Sequence, residues 1–193
     1  MNLKNKLASY NIILASNSPR RKQFLTDLGL TFNIQPANVN EEYPLHLKDK
    51  DIALHIASLK AAAFENPQPN DLIITCDTIV WLNNQALGKP EDEKDAIKML
   101  QALSGTTHEV ISAVCLKTAT QNQLFFDSTL VTFNELSNDD IRYYVTNYQP
   151  FDKAGAYGIQ EWIGLIGIEK IDGSYTNVVG MPMEKLYHHL NLL

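Results

Sequence analysis

The alternation of short β-rich runs with segments of helical period predicts an α/β fold for this 193-residue chain. Three observations carry the prediction. Apolar runs at 12–15 and 72–82 have the length and composition of strands, whereas 49–64 and 91–103 repeat their apolar residues at helical spacing. Residues 110–116 and 124–133 flank a polar turn at 118–123, most simply as a hairpin. With 45% hydrophobic residues the chain can bury one substantial core, or two lobes sharing a cleft, and one domain over 1–193 is expected.

The first strand, 12–15, leads into Ser18-Pro19, an N-cap followed by a first helical position, with Phe24, Leu25 and Leu28 as apolar positions and Gly29 at the helix end. Residues 31–36 read as a second short strand. The polar, proline-containing stretch Asn38-Val39-Asn40-Glu41-Glu42-Tyr43-Pro44 is a loop. A helix over 49–64 aligns Ile52, Ile56, Leu59 and Ala63 and carries Lys60 in its last half. The β-rich run 72–82 is interrupted by Cys76-Asp77-Thr78 and ends before a Gly88-Lys89-Pro90 turn. Glu91, Asp92 and Glu93 then open a helix with the sign of charge its dipole favours, and Ala96, Ile97, Leu100 and Leu103 form its buried stripe. After the hairpin, Ser137 to Asp140 is an S-x-x-D helix start ahead of Ile141, Tyr144, Val145 and Tyr148. Residues 150–160 hold two glycines and a lysine, 164–171 is strand-like, Asp172-Gly173 is a turn, and 183–192 is a terminal helix.

A net charge of −6 disfavours nonspecific binding to nucleic acid or to an anionic membrane, so neither is an expected partner. Cys76 and Cys115 form no C-x-x-C pair, which argues against a disulfide framework or a structural zinc site. The N-terminus lacks the apolar core of a signal peptide, and no apolar run has the length of a bilayer span. A cytoplasmic location is expected.

The helix that follows Ser18 opens Arg20-Arg21-Lys22, where its dipole disfavours cations. A bound phosphate would reverse the sign of that effect, because amides, dipole and guanidinium forks would converge on one anion. The alternative is an exposed basic turn paired with nearby carboxylates. Asp77 lies between apolar runs and needs a cation or several donors, as a metal ligand, a general base toward water, or a carboxylate that ends a strand and satisfies turn amides. Glu41 and Glu42, Lys60 and Lys89 are singly consistent with solvated surface groups. Together with the arginines they supply the charge types that hold a polyphosphate and a divalent metal. His108 fits a hydrogen-bonded structural role better than a ligand contact; adjacent His188 and His189 point apart on a helix; Cys76 fits a small core residue.

The blocks Ala15-Ser16-Asn17-Ser18-Pro19-Arg20-Arg21, Cys76-Asp77-Thr78-Ile79-Val80, Gly88-Lys89-Pro90, Leu103-Ser104-Gly105-Thr106-Thr107-His108 and Asp152-Lys153-Ala154-Gly155-Ala156-Tyr157-Gly158-Ile159-Gln160 resemble, in order, the motifs of the Maf family of nucleotide pyrophosphatases. The resemblance covers nearly the whole chain. It implies a mixed, elongated sheet with flanking helices, two lobes around a cleft similar to inosine triphosphatases, and a homodimer. It implies hydrolysis of nucleoside triphosphates between the α and β phosphates with a divalent metal, Mg²⁺ or Mn²⁺. By matching motifs, Asp77 is the proton acceptor and a metal contact, Glu41 a second metal contact with Glu42 as its one-position alternative, and Ser16, Arg20, Arg21, Lys60 and Lys89 are phosphate contacts. The last block resembles the branch acting on dTTP and UTP, with Arg20, Thr78 and Gln160 at the specificity positions; the Gln160 amide offers a donor and an acceptor to uracil or thymine. Two other readings stand beside this one: a nucleotide-binding regulatory protein without turnover, and a pyrophosphatase for noncanonical purine or 7-methyl-GTP nucleotides.

Overall fold

A computed structural model of the protein describes residues 3–193. The chain runs through α1 (Leu3–Lys6), β1 (Asn11–Leu14), α2 (Pro19–Asp27), β2 (Asn33–Ile34), α3 (Lys50–Ala62), β3 (Asp71–Leu82) and β4 (Gln85–Leu87). It continues through α4 (Glu93–Leu103), β5 (Thr107–Lys117), β6 (Asn122–Phe133) and α5 (Asn138–Tyr148). A 3₁₀ turn (Ala154–Ala156), α6 (Trp162–Gly167), β7 (Ile168–Asp172), α7 (Tyr175–Val179) and α8 (Met183–Leu190) complete it.

Seven strands form one mixed sheet in the order β2-β1-β3-β5-β6-β7, with β4 also on β3. β2, β1 and β3 run parallel, while β3, β5, β6 and β7 are successively antiparallel. This is the expected mixed α/β class. The expected hairpin is β5–β6, paired in register from Thr107 with Thr132 to Lys117 with Asn122.

β3 organises the molecule, because alternate residues face different layers. Ile79 packs with Ile52, Ala53, Ile56 and Ala57 of α3, and the Thr75 hydroxyl donates to the Ala57 carbonyl at 2.6 Å. On the opposite face the sheet supports two apolar clusters. Leu72, Ile74 and Cys76 pack with Leu25 of α2 and with Leu186 and Leu190 of α8, whereas Val80 and Leu82 pack with Leu100 of α4 and Tyr144 of α5. Thr78 lies between these clusters along the strand, at a polar seam, where its hydroxyl meets Ser112 Oγ at 2.8 Å.

Two details of the sheet open a cavity. β1 stops at Leu14 opposite Ile74, and β4 joins the same side of β3 only at Val80. Between them, among the described residues, Thr75–Ile79 has no strand partner on that side; the last bond before the gap runs from the Ala15 amide to the Ile74 carbonyl at 2.9 Å. The gap follows from the Ser-Asn-Ser-Pro turn that caps α2: Ser18 accepts from the Arg21 amide and Pro19 takes the first helical position.

Three readings of the sequence are corrected. β3 is not interrupted at Cys76-Asp77-Thr78; the ladder to β5 continues through Asp77 opposite Ala113, so Asp77 ends no strand. Residues 164–171 are not one strand. Helix α6 occupies Trp162–Gly167, and only Ile168–Asp172 pairs with β6. Ile163 and Gly167 are buried while Leu165 is exposed, and at Gly167 a Cβ would lie 2.9 Å from Leu136, so packing admits the glycine and overrides the strand-like composition. The second strand is also shorter than 31–36, with only Asn33–Ile34 pairing.

Candidate active site

The gap beside β3 is the floor of a cleft of about 520 Å³, a size suited to small-molecule binding. One wall is the turn from Ala15 to Arg21, and the opposite wall is formed by Gly88, Lys89 and the segment from Asp152 to Gln160. Glu41 and Lys60 close the side toward α3. The tertiary fold therefore brings Ser16, Arg20, Arg21, Glu41, Lys60, Asp77, Thr78, Lys89 and Gln160 around one cavity. Glu42 is exposed, and its amide donates to Asn40 Oδ1 at 3.3 Å.

Asp77 is 7% exposed in mid-strand, and its Oδ1 accepts a 2.7 Å hydrogen bond from Lys60 Nζ. Lys60 itself is 7% exposed and also pairs with Glu41 Oε1 at 3.0 Å. One ammonium thus sits between two carboxylates. Burial pushes the Asp77 carboxyl above its ordinary value, opposed by Lys60 and then by Arg21. The result is a carboxylate held in place through one oxygen and made more basic by its surroundings.

On the arginine wall the two guanidinium groups do different work. Arg21 donates to the carbonyls of Gly180 (3.0 Å) and Cys76 (2.8 Å), and to the hydroxyls of Ser16 (3.3 Å) and Thr78 (3.1 Å). These bonds fasten the start of α2 to the unladdered edge of β3 and to the Gly180 turn. The left-handed φ of +126° at Gly180 suits glycine. Behind Thr78 the chain of bonds continues through Ser112 to the fully buried Asn177, whose amide donates to the Val110 carbonyl and Thr129 Oγ1. Arg20 instead crosses the cleft and pairs with Asp152 Oδ2 at 3.0 Å. The basic helix start is therefore matched by carbonyls and a carboxylate within a cavity, rather than on an open surface.

The far wall holds a cation that the sequence reading noted only as a lysine in the 150–160 segment. Lys153 is 7% exposed, lines the cleft, and pairs with Asp152 Oδ1 at 2.7 Å and Glu161 Oε1 at 3.1 Å. Burial works upward on the Asp152 carboxyl, but Lys153 and Arg20 outweigh it and hold the group below its ordinary value. The only hint in the sequence was a lysine directly before Ala-Gly-Ala. That spacing lets Gly155 adopt φ +67° and press on Val80, where a Cβ would stand 2.9 Å away. Beside it Tyr157 lines the cleft and meets His108 Nε2 at 2.7 Å, which places His108 in the structural role expected of it.

Glu41 and Asp77 are the carboxylates that could hold a divalent cation. Both converge on one cation, the Lys60 ammonium, at 3.0 Å and 2.7 Å, and carboxylate oxygens are the donor type that suits Mg²⁺. Among the described residues no group of three or more His, Cys, Asp and Glu forms a protein-only metal cage.

The mixed sheet and the cation-lined cleft at its broken ladder define the class as an α/β protein with a site suited to a multiply charged anion. A model of the family described as Maf-like protein matches residues 11–193, and this chain belongs to that family. It is 53% identical over 192 residues to a dTTP/UTP pyrophosphatase of Flavobacterium johnsoniae, covering 99% of each chain. It is 52% identical over 189 residues to a dTTP/UTP pyrophosphatase of Phocaeicola vulgatus, covering 97% of this chain and 98% of that one. Among solved structures, a HAM1 protein from Coxiella burnetii superposes with a TM-score of 0.50 at 16% identity, over 95% of this chain and 100% of the other, a likeness of fold.

Proposed function

We propose that this protein hydrolyses nucleoside triphosphates, dTTP and UTP foremost, between the α and β phosphates to give the nucleoside monophosphate and pyrophosphate. The observation that carries the reading is Asp77: a buried carboxylate on the floor of a cleft whose walls present Arg20, Arg21, Lys60, Lys89 and Lys153. Membership of the Maf-like family and close similarity to relatives bearing the dTTP/UTP pyrophosphatase name support it.

In this mechanism Asp77 keeps Oδ1 on Lys60 and turns its other oxygen to a water, which it orients and from which it accepts a proton. The water attacks the α-phosphorus, and the bond from that phosphorus to the bridging oxygen breaks toward pyrophosphate. Arg20, Lys60 and Lys89 meet the charge that grows on the leaving group, while Arg21 holds Ser16 and the α2 turn in position. A divalent cation, Mg²⁺ or Mn²⁺, held by Glu41 and Asp77 would supply charge neutralisation on the phosphate oxygens. Positioning and electrostatics provide the acceleration. Gln160, exposed on the cleft wall, presents an amide donor and acceptor to the pyrimidine base, and Arg20 and Thr78 complete the specificity set.

The reading includes a homodimer in the cytoplasm with no nucleic-acid or membrane partner. The acidic net charge supports the part of this reading that excludes a nucleic-acid partner, and the two free, buried cysteines suit a reducing compartment. Light scattering after gel filtration checks the dimer. Pyrophosphate release from dTTP, UTP, CTP, ITP, GTP and 7-methyl-GTP, with Mg²⁺ or Mn²⁺, tests the activity. Selective release from dTTP and UTP that disappears in Asp77→Asn is expected. Release from purine nucleotides alone would refute the substrate assignment, and nucleotide binding without release would leave a binding protein.

A further inference from the structure

Gln160 has no side-chain hydrogen bond among the described residues, so the direction of its amide depends on the segment beneath it. That segment is fastened from the core side. Tyr144, wholly buried on α5, accepts a hydrogen bond from the Gly158 amide at 3.0 Å and donates its hydroxyl proton to Glu161 Oε2. Glu161 holds Lys153 through its other oxygen at 3.1 Å. Lys153 holds Asp152, and Asp152 holds Arg20. The tyrosine thus bonds the residue two before Gln160 and the residue directly after it. All three side chains converge over Gly158: a Cβ there would lie 2.8 Å from Gln160 Nε2, 2.9 Å from Glu161 Cδ and 3.0 Å from Lys153 Cε. Gln160 lies against a surface made by Glu161, Lys153 and the bare Gly158 backbone.

We propose that Tyr144, through Gly158 and Glu161, is a positioning residue for base selection, setting the direction in which Gln160 presents its amide to the nucleotide. The proposal rests on the reading of Gln160 as the base contact. The physical reason is the stringency of the task. Uracil and cytosine differ at the pyrimidine edge by an exchange of hydrogen-bond acceptor and donor, so an amide separates them only if its carbonyl and amino ends are held apart from one another in a fixed sense. A surface glutamine is free to rotate; one lying on a bonded backbone segment is not. Without the tyrosine hydroxyl, the Gly158 amide and Glu161 Oε2 lose their shared partner, and the bracket opens on both sides of Gln160.

The test uses the full chain and the ratio of dissociation constants for nonhydrolysable UTP and CTP analogues, with thermal unfolding as the check on folding. Tyr144→Phe lowers the preference for the UTP analogue about tenfold while kcat for UTP stays within about twofold. Gln160→Ala lowers the same preference, and adding Tyr144→Phe to Gln160→Ala changes it no further. A preference unchanged in Tyr144→Phe but reduced in Gln160→Ala overturns the positioning role and leaves the base contact standing. A preference unchanged in Gln160→Ala overturns the base contact and the proposal with it. Should Tyr144→Phe not fold, Glu161→Ala decides the same comparison, because it removes the carboxylate through which the tyrosine holds the residue directly after Gln160: a reduced preference supports the proposal and an unchanged one overturns it.

Discussion

Replacing Lys60 by methionine separates the charge of this residue from its bulk. The thioether keeps the length of the stem along α3, while Asp77 loses the ammonium 2.7 Å away and Glu41 loses it at 3.0 Å. The Asp77 side chain is 10% exposed and the Glu41 side chain 46%, so water compensates the second far better than the first. Removing one partner of a buried ion pair costs about 3–5 kcal/mol. With Arg21 still acting on Asp77, the lower end, about 3 kcal/mol, is expected at pH 8. For a chain of this size that corresponds to a fall in Tm of roughly 6–12 °C. The loss depends on pH with a defined sign. Lys60 is the strongest influence opposing the upward push of burial, so the folded Asp77 of Lys60→Met lies still further above its ordinary 3.8. Below 3.8 the group is protonated in both states and the penalty vanishes; it grows as pH rises toward the folded value. The assay is urea unfolding of the parent protein, Lys60→Met, Asp77→Asn and the double variant across pH 4–8. Asp77→Asn in the Lys60→Met background should restore about 2 kcal/mol by removing the uncompensated charge. A double variant no more stable than Lys60→Met, or a loss equal at all pH values, would refute the account of Lys60 as the counter-charge of Asp77.

Arg21→Lys retains the positive charge but not the planar fork that reaches Gly180, Cys76, Ser16 and Thr78, so stability should fall by about 2–3 kcal/mol and pyrophosphate release should fall with it; unchanged stability on calorimetry would show that these bonds do not fasten the α2 turn. His108 is buried with its ring depressed from 6.5 to about 4, so the unfolded chain takes up a proton between these values while the folded chain does not. Stability is therefore lost as pH falls from about 6.5 toward 4, by at most about 3 kcal/mol from this group, and His108→Asn should flatten that part of the curve in the same urea series.

Much of the architecture was legible because local rules and tertiary packing agree. Ser18-Pro19 caps α2, Asp92 and Ser137 cap α4 and α5 through the amides of Asp95 and Asp140, and the hairpin falls where alternating patterns flank a polar turn. The misread segments are those where the two disagree. Ile163, Leu165 and Ile166 have strand composition, but the glycines at 164 and 167 are the positions where a helix can press against the Ile159 backbone and against Leu136 and Phe133. Asp77 resembled a strand breaker because a charge inside an apolar run is costly alone; Lys60, 17 residues earlier on a different element, removes that cost. Lys153 is marked in the sequence only as the lysine of the 150–160 block, with no site role, because a lysine in a glycine-containing loop is ordinarily solvated, and its anions Asp152 and Glu161 meet it only after the loop folds over Val80.

The sequence by itself determined the residue types of the site, their order along the chain and the elements that carry them, because capping, periodicity and motif spacing are local properties. Which of those residues meet was decided by the tertiary structure. The early end of β1 and the late arrival of β4 leave one edge of β3 unpaired over a few residues, and around that gap Asp77 of the sheet, Lys60 of α3, Arg20 of α2 and Gln160 of the distant loop line one cavity. Division of labour between the two arginines is equally tertiary. Neighbours in sequence on one helix turn, they diverge because successive helical residues point in different directions, one guanidinium reaching the carbonyls of the broken ladder and the other crossing to a carboxylate 132 residues away.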